Sequence, residues 1–241
     1  PDGTVAMEAD RFTFDKTAFT LDKSSGLVTG EVVFADKPKV TAGLAMSILD
    51  VTPYMIAAGA ADGARGGGGG GGGNAPIDFS GLQAFDADLN LKADSIVADD
   101  IKIGPAALTV ALAGGKLNAS LTEMALYSGT GRGALAVDGA AAKPSVAASF
   151  QLERIDAQPF LTIGFGRIAG RGNFTFELSA AGRNEKVLIG SLAGRGSMNV
   201  QNGAILGIDI PRMLQGLSVD TLLGWRPGND RTNFDQVAAS F

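Results

Sequence analysis

The polar chemistry available to this sequence rests on aspartate and arginine, because histidine and cysteine are both absent. That absence removes Ser-His-Asp and Cys-His triads, histidine bases and ligands, disulfides and thiol chemistry. Asp86, Asp88 and Asn90 have the spacing that opens a calcium loop. Such a loop needs a glycine next and a glutamate later, and Leu91 and Val97 stand in those places; the polar face of a strand is the expected setting. Asp99-Asp100 is an acidic pair, but adjacent residues on a strand point to opposite faces, so a turn is expected there. Asp50 and Asp156 each stand three residues before a proline, where a carboxylate accepts N–H bonds at a helix start. Gly164-Phe165-Gly166 and the three units Gly131-Arg132-Gly133, Gly170-Arg171-Gly172 and Gly194-Arg195-Gly196 superficially look like nucleotide loops. A dinucleotide fingerprint needs a helix directly after it, and strands are expected here. Arg132, Arg171 and Arg195 are able to bind phosphate head groups or to lie in solvent at strand starts; the second is the expected role. No catalytic residue, metal or cofactor is expected.

The elements that would position these groups are strands. Each Gly-Arg-Gly unit opens a stretch that alternates polar and apolar residues, as in Asn173-Phe174-Thr175-Phe176-Glu177-Leu178, and period two marks a strand with one apolar face. The glycines are expected to mark the bend or bulge at each start. Similar alternation runs through Arg11–Asp15, Phe19–Leu21, 27–34, 40–49, Asp86–Lys92, Leu108–Leu112, Leu117–Leu121 and Val146–Leu152. Gly114-Gly115 reads as a hairpin turn. Short helices are expected at 53–58, 209–214 and 217–224.

Two features set the organisation. Gly66 to Gly73 are eight consecutive glycines, too costly in backbone entropy for a packed element. The sequence therefore divides into a β segment with a short terminal helix over 1–58, a glycine-rich linker over 59–75 and a β domain over 76–241. The second feature is a repeat. Lys37 to Met55 aligns without a gap on Lys143 to Leu161, 106 residues later, and six of the 19 positions are identical. A module used twice suggests an elongated, modular sheet.

The apolar faces are the remaining candidate site. They comprise Phe12 and Phe14; Leu89 and Leu91; Leu108, Val110 and Leu112; Leu135 and Val137; Phe150 and Leu152; and Phe174, Phe176 and Leu178. These side chains either form a sandwich core against a second sheet or line a groove open to a lipid chain, whose burial is worth about 0.8 kcal/mol per methylene. The net charge of −5 argues against non-specific nucleic-acid binding, which needs a basic footprint. No apolar run reaches the roughly 18 residues of a membrane span and no secretory signal is present, and the chain is expected to be a piece of a longer protein.

The C-terminal half resembles the AsmA family of Gram-negative envelope proteins. The residues that carry the likeness are Ser191–Val200, the stretch Asn202-Gly203-Ala204-Ile205-Leu206-Gly207-Ile208-Asp209-Ile210, then Thr232-Asn233-Phe234 and Ala239-Ser240-Phe241, with weaker support from Leu49–Met55 and Leu126–Gly129. The resemblance implies a mainly β fold, a long, curved, mostly antiparallel sheet that forms an apolar groove, with a few short helices. It implies a periplasmic location, with the full-length protein anchored to the inner membrane by a segment absent from this chain. It further implies transport of phospholipid for outer-membrane biogenesis, like that of bridge-like lipid transfer proteins, without catalysis. The alternative is an assembly module that meets other envelope proteins by adding strands at a sheet edge.

Overall fold

A computed structural model of the chain describes residues 3–52, 76–99, 101–161, 168–206 and 231–241. The expected helices at 53–58, 209–214 and 217–224, the glycine tract and Gly164-Phe165-Gly166 lie outside the described residues. Alternating sequence becomes strand throughout. The strands are β1 (Thr4–Glu8), β2 (Arg11–Leu21), β3 (Ser24–Val33), β4 (Lys39–Asp50), β5 (Asp86–Ala98), β6 (Ile101–Ile103), β7 (Ala106–Ala113), β8 (Lys116–Leu126), β9 (Gly129–Asp138), β10 (Ser145–Asp156), β11 (Ile168–Ala181), β12 (Ala193–Leu206) and β13 (Arg231–Ser240). All belong to one open, mostly antiparallel sheet. Its hydrogen-bonded order follows the chain from β1 to β5 and from β7 to β13, with β5 beside β7 and the short β6 branching from β5. The described helices are α1 (Ala157–Leu161), α2 (Glu185–Gly190) and a 3-10 turn, Ser80–Gln83.

Turn chemistry explains the hairpins. Gly114 and Gly115 both have left-handed backbone, φ 57° and 79°, which suits the two-residue turn joining β7 to β8. Tyr127 and Ser128 adopt the same region, φ 46° and 63°, and join β8 to β9 without a glycine. Asp99, at φ 56°, occupies the turn between β5 and β6, where the acidic pair is expected. Helix α2 is capped by Asn184, whose side chain accepts the Val187 N–H at 2.8 Å, satisfying one of the orphan donors of the first turn.

The repeat extends further than the sequence alone reveals. Arg11 to Lys116 and Ser24 to Gly129 are each 105 residues, and Lys39 to Ser145 is 106, so β2-β3-β4 recurs as β8-β9-β10 with matching strand lengths. Each copy ties its last aspartate to the hairpin turn before its middle strand. The Asp50 N–H donates to Ser24 Oγ at 3.0 Å, and the Asp156 N–H donates to the Tyr127 carbonyl at 2.8 Å. Asp50 also accepts the Thr52 N–H at 3.0 Å, and the helix expected to start there lies outside the described residues; the described residues offer no N–H to the Asp156 carboxylate.

β4 and β5 run parallel, from Lys39 opposite Asp86 to Asp50 opposite Val97, with residues 51–85 between them. Parallel neighbours need a long crossover, and this is the longest connection between strands that are neighbours in sequence. The residues before the glycine tract are therefore strands of the same sheet as those after it.

The chain forms two compact units. The larger comprises Pro1–Leu126, Gly131–Phe150 and Phe176–Gly194; the smaller comprises Tyr127–Thr130, Gln151–Thr175 and Arg195–Phe241. In the larger unit the apolar side chains are mostly half-buried across a broad face, with Met46, Ala87, Ala93, Ala106, Leu112 and Met124 fully buried. In the smaller unit Phe174, Ile155 and Val200 are the most deeply buried large side chains.

The Gly-Arg-Gly units correct one expectation. They lie inside β9, β11 and β12 rather than at bends before them, with irregular backbone only at Gly170, φ 137°, near the start of β11. A Cβ on Gly172 would meet the Phe174 ring at 2.5 Å, and one on Gly196 would meet the Phe241 ring at 2.6 Å. Close packing of rings over the strand, not a turn, requires these two glycines. The intervening arginines are exposed on the opposite face.

Candidate functional site: the apolar face of the larger unit

Strand register brings the apolar residues into rows that cross the strands. One row runs Met7, Phe12, Val32, Val40, Ala87, Leu112, Leu117; the next runs Val5, Phe14, Gly30, Ala42, Leu89, Val110, Ala119. A third joins Thr17, Val28, Leu44, Leu91, Leu108 and Leu121, and a fourth joins Phe19, Gly26, Met46, Ala93, Ala106 and Met124. Side chains of directly opposed residues touch across a sheet, so each row is a continuous apolar track. Seven strands at 4.7–4.9 Å spacing make the longer rows about 30 Å long. The intervening residues of β5 (Asp88, Asn90, Lys92 and Asp94) are exposed and polar, which places the charge on the other face.

This face has no second sheet over it among the described residues. Phe12, Phe14, Leu89, Leu91, Leu108 and Val110 are half-buried rather than buried. The sandwich expected as one of two arrangements is therefore not what these strands form. Toward the β1 edge exposure rises, with Val5 at 54% and Met7 at 71%. The Phe12 ring stacks on Phe14 at a centroid distance of 6.5 Å and meets Phe34 edge-on at 5.8 Å, offset and edge geometries that rings favour.

One end of the face is covered. Residues 76–85, which lead into β5, run along it as a strap. Pro76 bridges to Asn184 and the Ile77 N–H donates to the Arg183 carbonyl at 2.9 Å. Further along, Phe79 and Leu82 lie over Gly139, and Gln83 lies over Gly115. The strap ends where the Asp86 N–H donates to the Pro38 carbonyl at 2.8 Å. In the row nearest the strap Leu112 and Ala87 are 4% and 7% exposed, and Met46, Ala93, Ala106 and Met124 of the fourth row are buried as well, whereas Leu89, Leu91, Leu108 and Val110 in the two rows between keep open area.

The same end is pinned by charge. The Lys37 ammonium bonds the Asp86 carboxylate, which also accepts the Gly114 N–H at 3.1 Å. Lys116 lies 3.0 Å from Asp138, whose other oxygen accepts the N–H groups of Ala140 and Ala141. The lysine hydrogen bond is the main cause that holds each carboxyl below its ordinary value, with the backbone donors adding to it. Asp86 is thus a structural ion pair on a strand. No group of residues suited to hold a metal occurs among the described residues.

The remaining candidates divide. Leu135 and Val137 on β9 and Phe176 on β11 are half-buried, while Phe150 and Leu178 are exposed at 42% and 44%. Leu152 and Phe174 are buried, at 5% and 1%, and so contribute packing rather than accessible lining. The sequence reading missed Val28, Val32, Val40, Leu44, Met46, Leu117, Leu121 and Met124, which complete the rows. Register supplies them, and the alternation within β3, β4 and β8 is the local signal that pointed their way.

These features define a class: an open, single-sheet β protein whose wide apolar face has no second sheet over it among the described residues. The AsmA family profile matches residues 74–241, and the chain belongs to the AsmA family. No curated protein and no solved structure matches it. Family membership and the large open sheet fit a lipid-transport or cell-envelope role. No helix among the described residues is long and apolar enough to cross a membrane.

Proposed function

We propose that this chain is a periplasmic segment of a bridge-like lipid-transport protein, and that its apolar face carries phospholipid acyl chains toward the outer membrane without catalysis. The observation that carries this reading is the pair of middle apolar rows, through Leu89 and Val110 and through Leu91 and Leu108, half-buried and without a second sheet over them among the described residues. An acyl chain laid along a row exchanges water for leucine, valine and phenylalanine. At about 0.8 kcal/mol per methylene, a chain of a dozen methylenes gains on the order of 10 kcal/mol, enough to leave a bilayer without crossing water. In the full-length protein an inner-membrane anchor outside this chain would fix one end of the path.

Native mass spectrometry of gently purified protein, paired with uptake of a fluorescent phospholipid, tests the proposal. Co-purifying phospholipid and saturable uptake are expected. A chain that is reproducibly lipid-free and takes up no probe contradicts it.

A second reading has its own observation. The sheet is open at β1 and β13, and every residue of β1 is exposed. Unpaired edge groups are templates for strand addition by an envelope partner. Cross-linking from β1 to a partner protein, with lipid uptake absent, would favour it.

A further inference from the structure

The arginines of the three Gly-Arg-Gly units are not equivalent. Arg132 and Arg195 are engaged with other groups. Arg171 has no ion pair or side-chain hydrogen bond among the described residues, and neither does the guanidinium of Arg154. Both line one cleft of about 480 Å³ on the polar side of the smaller unit, together with Asp156, Asn173, Gln201 and Asn202. Three successive strands carry irregular backbone at this level: Arg154 in β10 at φ 54°, Gly170 in β11 at φ 137° and Asn202 in β12 at φ 48°. Glycine and asparagine tolerate that region, but an arginine there is unfavourable because its Cβ crowds the carbonyl. Backbone held in such conformations clusters at binding sites. The strand is held open locally by Asn173, whose side-chain oxygen accepts the Arg154 N–H at 2.8 Å; its amide nitrogen remains as a donor.

We propose that this cleft binds a phosphate group that carries an amine on the same molecule. Two guanidinium forks suit the oxygens of a phosphate, which they bind through paired charge-assisted hydrogen bonds. The amides of Asn173, Gln201 and Asn202 add neutral donors. Asp156 completes the charge pattern. Its carboxylate has no side-chain partner among the described residues, so it repels a bare phosphate but accepts an ammonium placed beside one. Two positive charges and one negative charge thus favour a phosphoethanolamine-like zwitterion over a glycerol phosphate. The shared chemistry is found in a soluble phosphate ester and in a lipid headgroup, and it is independent of what the apolar face carries.

Isothermal titration of the intact chain at low ionic strength, with phosphoethanolamine, glycerol 3-phosphate and inorganic phosphate, tests the site. Saturable binding is expected, tightest for phosphoethanolamine. Arg154→Ala and Arg171→Ala should each weaken it by roughly tenfold. Asp156→Asn should retain phosphate binding and lose the preference for the amine, while Arg132→Ala should change nothing. Arg171→Lys keeps the charge and removes the fork, so it reads the same loss if the alanine variant folds poorly. Absence of saturable binding by all three compounds overturns the proposal, as does an Arg132→Ala loss equal to that of Arg171→Ala. Flotation with phosphatidylcholine vesicles, with and without phosphatidylethanolamine, separates the sources. Capture by the vesicles that contain phosphatidylethanolamine, abolished by Arg171→Ala, supports a headgroup; titration without capture supports a soluble ester.

Discussion

The two units use the same alternating sequence differently. In the larger, Leu89, Leu91, Leu108 and Val110 sit half-buried on an open face. In the smaller, Phe174 is 1% exposed and Ile155 and Val200 are fully covered. The local patterns, Leu-Asn-Leu in β5 and Phe-Thr-Phe in β11, are indistinguishable in period. Their immediate neighbours also differ. Leu91 faces Leu44 and Leu108 in register, residues of its own size that leave an even surface. Phe174 lies over Gly172, with Val200 also close to that glycine, and glycine lets a ring fold down onto the sheet. An apolar alternation therefore reports a face, not whether that face closes: Phe14 and Phe19 also stand opposite glycines, Gly30 and Gly26, and remain half-buried.

The sharpest way to break this comparison is to put the same charge in both places. Phe174→Asp should lose on the order of 4 kcal/mol or more, because a carboxylate buried without a partner is costly, and urea unfolding would read it. Leu91→Asp combined with Leu108→Asp should lose clearly less stability while ending lipid uptake, since both side chains already meet solvent. Equal destabilisation of the two variants would place both residues in a closed core. Next in size is Gly172→Ala. Its Cβ would collide with the Phe174 ring, and overpacking costs about 1–3 kcal/mol. Gly190→Ala has nothing within 4 Å and should leave the melting temperature near wild type. Asn184→Ala removes the α2 cap and should cost about 1 kcal/mol, seen as a lower midpoint in the same titration.

The smallest expected effect is on pH. Asp86 and Asp138 have carboxyls held below their ordinary value of 3.8 by Lys37 and Lys116. A carboxyl lowered in the folded state adds stability that is present above its unfolded pKa and is lost as pH falls through the folded one. Acid titration should therefore loosen the strap end only below about pH 4, and Lys116→Met should reduce that acid sensitivity, as followed by circular dichroism. Solvent and salt weaken exposed pairs such as these, so the change is expected to be slight.

Most strands were legible because alternation is a local property, and β5, β7 and β8 fall where their sequence places them. The turn at Gly114-Gly115 was legible for the same reason. Tyr127-Ser128 was not, because the left-handed turn it forms carries no glycine to announce it. Repetition was legible only in β4 and β10, where Lys37, Pro38, Val40, Ala42, Asp50 and Pro53 recur 106 residues later; the β2 and β3 copies keep their lengths but not their residues. The candidate site was half legible. Its residues in β2, β5 and β7 carry an alternating pattern, but the rows that join them depend on register. That register includes the parallel β4–β5 pair across the glycine tract, a long-range pairing that no local pattern specifies. The arginine cleft was invisible because it needs Arg154, far from any Gly-Arg-Gly unit, at a bulge.

The central claim is that acyl chains lie on the apolar rows. A phospholipid with a photoreactive group near the end of its acyl chain, irradiated in complex with the protein and mapped by mass spectrometry, tests it directly. Adducts should concentrate at Leu89, Leu91, Leu108, Val110 and their row neighbours Leu44 and Leu121. Labelling spread equally over the polar residues Asn90, Lys92 and Thr109, or confined to the β1 edge, would contradict it.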